Sequence, residues 1–179
     1  MHSPSRYQQP EQGRGIQADL FALIMVMVVL LGPSFVAHAD ANVSDPLLEV
    51  ELVEGEIIGF TLEDLRALPM TGFETSTVWT EHVDKYTGVL LIDLLQHIGV
   101  GAEVGSVGVH AIDGYSAVID FGLVSEQAPL LSFLRNGDPM SVRNQGPIWL
   151  IFPYDDDPRF RTESVYAMSV WQVQRLKVQ

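Results

Sequence analysis

Apolar and acidic residues alternate through Leu48-Glu-Val-Glu-Leu-Val53, the period-two pattern of a strand with one wet face. Glu54-Gly55 predicts a turn that returns the chain through Ile57-Ile58. Thr61 opens a short helix. Thr61 and Asp64 stand at capping-box spacing, Leu62, Leu65 and Leu68 supply an apolar face, and Pro69 ends it. Residues 73–80, with Thr75, Thr77, Val78 and Trp79, have strand composition. From Gly88 the period lengthens: Leu90, Leu91, Leu94, Leu95 and Ile98 predict a second helix, with Gly99 as its C-terminal stop. Residues 107–112 and 115–119 flank Asp113-Gly114, a dipeptide that favours a type I′ hairpin, and residues 130–134 lead into Asn136-Gly137, a second signal of that kind. Ile148-Trp-Leu-Ile-Phe152 is an unbroken apolar run ended by Pro153, as in a buried strand. Residues 169–178 contain an alternating stretch that predicts a closing strand. Many short strands and two short helices, with no internal repeat, make an α+β domain.

The N-terminal segment follows different rules. Residues 20–31 are apolar without interruption and stop at Gly32-Pro33. As helix they rise about 18 Å, against a hydrocarbon core of about 30 Å, so they are too short to span comfortably. Arg6 and Arg14 precede the run, and Ala37-His38-Ala39 follows it as a small-x-small cleavage pattern. The expectation is a signal peptide over residues 1–39, cut after Ala39, with residues 40–179 as an exported, periplasmic domain. An uncleaved anchor extending through Phe35-Val36-Ala37 is the rival reading.

Composition narrows the partners. The chain has 179 residues, 47% hydrophobic and 18% charged, which suits one core-forming domain and an appendage. Its formal net charge is −13. Arg6 and Arg14 balance Glu11 and Asp19 before residue 40, so the whole excess belongs to residues 40–179. Such a surface repels nucleic acid and anionic membrane and disfavours phosphate-rich ligands. The expected partners are a small-molecule ligand or a periplasmic protein, with no nucleic acid and no membrane once the signal is removed; acidity also serves plain solubility. There is no cysteine. Disulfides, thiolate metal sites and cysteine nucleophiles are therefore excluded.

Five segments carry a resemblance when taken in order: Phe60-Thr-Leu-Glu-Asp-Leu-Arg-Ala-Leu-Pro69, Tyr86-Thr-Gly-Val-Leu-Leu-Ile-Asp-Leu-Leu-Gln-His-Ile-Gly99, Ala111-Ile-Asp-Gly-Tyr115, Leu130 to Gly137, and Gln145-Gly-Pro-Ile-Trp-Leu-Ile-Phe-Pro153. Together they resemble the oxidoreductase molybdopterin-binding domain over about residues 47–178. The resemblance implies the β-rich sulfite-oxidase-type fold, with mixed sheets and short helices. In catalytic members it further implies a pyranopterin-bound molybdenum on one cysteine thiolate, with basic residues grasping the cofactor phosphate. Thiolate is the soft ligand such a metal demands. The family's cysteine lies about a dozen residues before the glycine matched by Gly88, and an ungapped count reaches Ser76. The family's arginine in the "PxRL" segment is Trp149 here. Molybdopterin therefore enters through the resemblance alone, and the residues predict no resident cofactor. Catalytic members generally travel folded behind a twin-arginine signal, whereas Arg6 and Arg14 are far apart, which looks like the unfolded export route.

Each candidate residue has a plain alternative. Trp79, Thr80 and His82 occupy the segment that replaces the cysteine loop, where an aromatic wall with hydrogen-bonding neighbours suits a small organic ligand; core packing for Trp79 and a solvated loop for His82 fit as well. Asp113 and Tyr115 offer a carboxylate and a phenol at a site rim, with turn chemistry as the simpler account, above all for Asp113. Arg143 stands beside a glycine turn, as an anion holder or in a surface salt bridge. Trp149 and Trp171 read as core. Asp155-Asp156-Asp157 lacks the alternate ligand spacing of a calcium loop and reads as solvated loop. His82, His97 and His110 show no zinc spacing, and neither a G-x-S-x-G elbow nor a Walker loop is present. The expected cofactor-binding or ligand-binding set is thus Ser76, Trp79, His82, Tyr115 and Arg143, with no catalytic residue and no metal ligand. Three functions follow from it: a non-catalytic ligand-binding or sensory-accessory module, an active molybdopterin oxidoreductase with Ser76 as an unusual ligand, or a purely structural partner protein.

Overall fold

The computed structural model describes residues 45–101 and 104–179, within a folded unit of Asn42–Gln179. The expected signal peptide and its cleavage site lie outside the described residues. Among the described residues no helix is long and apolar enough to cross a membrane.

Among the described residues ten strands and three short α-helices follow one another, with 3-10 turns between some of them. They are β1 (Leu48–Glu51), β2 (Ile57–Phe60), α1 (Leu62–Ala67), β3 (Met70–Thr75), β4 (Asp84–Leu90), α2 (Leu91–His97), β5 (Ser106–Ala111), β6 (Ser116–Asp120), β7 (Leu130–Arg135), β8 (Asp138–Pro139), β9 (Trp149–Ile151), α3 (Glu163–Met168) and β10 (Val173–Val178). The first sheet has the order β2-β1-β10-β5-β6. In it β1 and β10 run parallel, with Val50 beside Leu176, and the remaining pairs are antiparallel. The second sheet has the order β3-β4-β7-β8, and β9 pairs antiparallel with β7. Both sheets contribute to one buried cluster, with Leu48, Val50, Val109 and Leu176 from the first and Val89, Leu131, Phe133 and Leu150 from the second. Backbone bonds from Leu150 N to Val170 O and from Val173 N to Ile148 O join β9 to the approach of β10.

Local chemistry explains most element ends. Thr61 Oγ1 accepts from Asp64 N while the Asp64 carboxylate accepts from Thr61 N, the reciprocal capping box. Leu91, Leu94 and Leu95 of α2 are buried, and Gly99 takes φ +77° after its last turn. Asn136 and Gly137 both have positive φ, as a type I′ turn requires.

Four expectations change. The strand expected over residues 73–80 is β3, which starts earlier and ends at Thr75, because the edge pairing with β4 stops at Thr75–Asp84. Gly88 does not open a helix; it lies inside β4, and α2 starts at Leu91. Asp113 is not among the residues with positive φ whereas Gly114 is, at +90°, so this hairpin is not the type I′ turn expected. Asp113 accepts instead from Tyr115 N at 2.9 Å. Finally, α3 is a third helix, capped by Thr162 Oγ1 accepting from Val165 N.

Candidate functional site

Between β3 and β4 the chain leaves the sheet, and side-chain bonds hold its first turn. Ser76 donates twice to Asp155, from its backbone N–H (2.6 Å) and from its hydroxyl (2.8 Å). Arg161 reaches the same carboxylate from Nη2 at 3.3 Å and donates from Nε to Tyr154 O at 2.6 Å. Asp155 N donates in turn to Thr75 Oγ1. The Ser76 N–H and hydroxyl hold the Asp155 carboxyl below its ordinary value of 3.8. Ionised Asp155 is thus favoured by folding, and its contribution is complete above about pH 4 and lost as pH falls through the lower folded value. Asp155→Ala should cost about 1 kcal/mol, since the group is partly exposed. It should also abolish the part of the acid-induced loss below about pH 4 that belongs to this clamp, read by intrinsic fluorescence during acid titration. An unchanged profile would show that the clamp adds nothing.

The clamp delivers Trp79. Thr77 Oγ1 accepts from Trp79 N at 3.0 Å and shares a hydrogen bond with Thr80 Oγ1 at 2.9 Å, which closes the loop on itself. The Trp79 ring then meets four others edge-on or tilted: Trp149 and Trp171 at 5.7 Å, Tyr166 at 5.8 Å and Tyr154 at 6.4 Å between centroids. Such pairs add about 0.5–1.5 kcal/mol each beyond burial. Below Trp79 lies Trp149, fully buried, with Tyr86 packed on it at 5.4 Å. Among the described residues the buried Tyr86 hydroxyl and Trp149 Nε1 have no hydrogen-bond partner. Burial pushes the Tyr86 phenol up, and the nearby Thr80 and Arg135 side chains pull it back only in part. Burial likewise raises the Tyr154 phenol, which donates to Ser169 Oγ, and Ser169 donates to Val165 O. Both phenols stay neutral at physiological pH. They pack beneath Trp79 as neutral rings and not as bases.

Above this stack a cleft of about 320 Å³ opens between the β5–β6 turn, α3 and the approach to β10. Trp79, Tyr115, Tyr166 and Trp171 line it with aromatic surface, and among the described residues Asp113 is the one carboxylate on its lining. Tyr115 is held by a hydrogen bond from its hydroxyl to Ala167 O at 2.8 Å, which ties the hairpin to α3. Gln172, next to Trp171, has φ +53°, and its N–H donates to the carbonyl of Gln145, itself at φ +63°. Two left-handed non-glycine residues cost about 1–3 kcal/mol each and commonly gather at functional sites.

Of the residues expected from sequence, Trp79 and Tyr115 meet in this cleft. Ser76 lies outside its lining, engaged by Asp155. His82 is exposed, and its carbonyl accepts from Thr80 Oγ1 at 3.3 Å. Arg143 is exposed on the 3-10 turn Val142–Asn144, and among the described residues it makes no ion pair within 4.0 Å. Six of the described lining residues stand outside the expected set, and three of them bring aromatic or charged chemistry. Tyr166 sits on the unforeseen α3, Asp113 reads from sequence first as turn chemistry and only second as a rim carboxylate, and Trp171, read as core, is only half-buried. Among the described residues no three His, Asp or Glu side chains converge as metal donors.

No family model matches the chain. The solved structure of the sulfane dehydrogenase SoxCD from Paracoccus pantotrophus aligns with a TM-score of 0.57 at 22% identity, covering 73% of this chain and 37% of that one. The chain has the sulfite-oxidase-type fold. A curated protein described as an uncharacterized oxidoreductase, YuiH of Bacillus subtilis (strain 168), is 26% identical over 98 residues, 52% of this chain. The chain spans 50% of the length of that relative. Over 98 residues the sequence is thus similar to that of one curated protein described as an oxidoreductase, and the fold is similar to that of a sulfane dehydrogenase.

The residues present do not fit a pyranopterin molybdenum group. The chain offers no thiolate. The serine nearest the expected ligand position already donates its hydroxyl hydrogen to a carboxylate. The cleft presents Asp113, not a cation, to any phosphate.

Proposed function

We propose that this domain is an exported, non-catalytic member of the oxidoreductase-related group, a ligand-binding or sensory-accessory module that has kept the sulfite-oxidase-type fold and given up metal chemistry. The observation that carries this reading is the Ser76–Asp155 clamp: where the resemblance expects a soft thiolate, a hydroxyl is spent on a structural carboxylate. A carboxylate beside that position also repels an anionic cofactor. The neighbouring aromatic cleft supports binding in place of chemistry, since its volume falls at the small end of the range of about 300–1,000 Å³ for ligand sites. A signal peptide over residues 1–39 and a periplasmic destination belong to the same proposal, as does a small molecule or a periplasmic protein as partner.

The test is elemental analysis and native mass spectrometry of the protein purified from its own host. The proposal expects no stoichiometric molybdenum and a small organic molecule retained in, or stabilising, the cleft. A ligand at a hundredfold excess over its Kd adds about 2.7 kcal/mol of stability, which a melting experiment resolves. Stoichiometric molybdenum with pterin fluorescence would overturn the proposal in favour of an active oxidoreductase with an oxygen ligand. No retained molecule and no ligand-dependent rise in melting temperature would leave a structural partner protein as the better reading.

A further inference from the structure

Resting on the proposal that the cleft binds a ligand, we infer that the ligand class is a small organic cation with a substituted ammonium head, of the choline type. Three features of the cleft converge on this. The first is ring geometry. Trp79 meets Tyr166 at 90° and Trp171 at 79°, with centroids 5.8 and 5.7 Å apart. Rings set at right angles present a corner in which one cation lies within about 6 Å of more than one aromatic system, the reach of cation–π attraction. Tyr115 adds a further ring to the lining, held in place by its bond to Ala167 O.

The second feature is charge. No Lys, Arg or His lines the cleft, and its single ionisable carboxylate, Asp113, uses only Oδ1 in the turn, leaving Oδ2 without a partner among the described residues. An anion entering there meets a carboxylate, the negative faces of the rings and a chain of formal net charge −13. A cation meets all three favourably.

The third is desolvation. Seven of the eight lining residues carry no charge, and the exposed lining is mostly apolar. A primary ammonium has three N–H donors to satisfy, and burying them unmet is costly. A fully methylated nitrogen has none and is weakly hydrated, so the aromatic corner takes it without a hydrogen-bonding cage. A cleft of about 320 Å³ admits such a head with a short tail, and nothing the size of a pterin–metal group with its phosphate.

The experiment is calorimetric titration of the purified protein with choline, tetramethylammonium and 3,3-dimethylbutan-1-ol, the uncharged carbon analogue of choline. Choline should bind about tenfold more tightly than the alcohol, the size expected of cation–π and rim attraction together. Asp113→Asn should weaken choline severalfold and leave the alcohol unchanged, and added salt should erode the same increment. Tyr115→Leu, at an exposed position, should weaken both cations, with its melting temperature monitored as a control for folding. Equal or tighter binding of the alcohol overturns the inference of a cation while leaving the cleft a ligand site. Failure of all three probes, with another organic molecule retained on native mass spectrometry, also overturns the cation class and leaves the binding module standing. Failure of all three with nothing retained overturns both.

Discussion

Replacing Gly88 by alanine is expected to destabilise the domain by about 3 kcal/mol or more, at the upper end of what overpacking costs. Gly88 lies in the middle of β4, between Thr71 of β3 and Ser132 of β7. A Cβ there would sit 2.0 Å from Leu131 O and 2.8 Å from Ser132 Cα. Both obstacles are backbone, so no rotamer change relieves them. The close approach has a cause in the sheet: the register slips between Thr87 and Gly88, where Thr87 faces Leu134 and Gly88 faces Ser132, leaving Phe133 as the extra residue of a bulge. Ser132 Oγ fastens the bulge by donating to Thr87 O and Leu134 O. Gly105→Ala is the matched control, because its nearest neighbour to a built Cβ is 3.8 Å away. Chemical denaturation of the two variants should separate them by most of the expected difference. Similar midpoints would mean that β4 and β7 part without penalty.

Trp149→Ala should cost about 3–5 kcal/mol and remove the cleft together with the stability. Trp149 is fully buried in β9, paired with Ser132 of β7. Its ring supports Trp79 at 5.7 Å, Tyr86 at 5.4 Å and Trp171 at 6.3 Å. Two of those rings line the cleft, so the cavity left by alanine undermines the lining directly. Trp149→Phe keeps an aromatic support and removes an indole N–H that has no partner, which relieves a desolvation penalty of about 1–3 kcal/mol. It should therefore cost far less than alanine. Equilibrium unfolding of both variants, with ligand titration of the phenylalanine variant, checks the pair. Equal losses would show that the smaller ring supports the stack no better than alanine does and that removing the stranded N–H gains nothing.

Much of the fold was legible because its signals are local. Period-two alternation marked β1, the unbroken apolar run marked β9, the Thr61–Asp64 box marked α1, and Asn136-Gly137 marked the β7–β8 turn. The order of five such segments was enough to reach the sulfite-oxidase-type fold. Gly88 was misread for a physical reason: leucines at three-to-four spacing begin inside β4 and run into α2 without a polar break, and glycine serves either as a helix boundary or as a bulge residue. The backbone of β7, more than forty residues onward, decides between the two. In the site, Trp79 was found because the resemblance puts it in the segment that replaces the cysteine loop, and Tyr115 because it follows the Asp113-Gly114 turn. Tyr166 and Trp171 were missed because α3 is short and lacks a strong apolar stripe, and because half-burial of a tryptophan depends on what faces it in space. Asp155 read as loop solvent, yet its partner Ser76 lies 79 positions away in sequence. No spacing rule reaches that far.

The parallel pairing of β1 with β10 has a bearing on assembly. Because β10 occupies the centre of the first sheet, a chain emerging N-terminus first and still short of residue 173 holds only two separate hairpins, β1–β2 and β5–β6, with no edge in common. The seam between them closes last, across about 125 residues of intervening chain, and such distant contacts form slowly. Until then the first sheet lacks the central strand whose Val173, Leu176 and Val178 belong to the buried core.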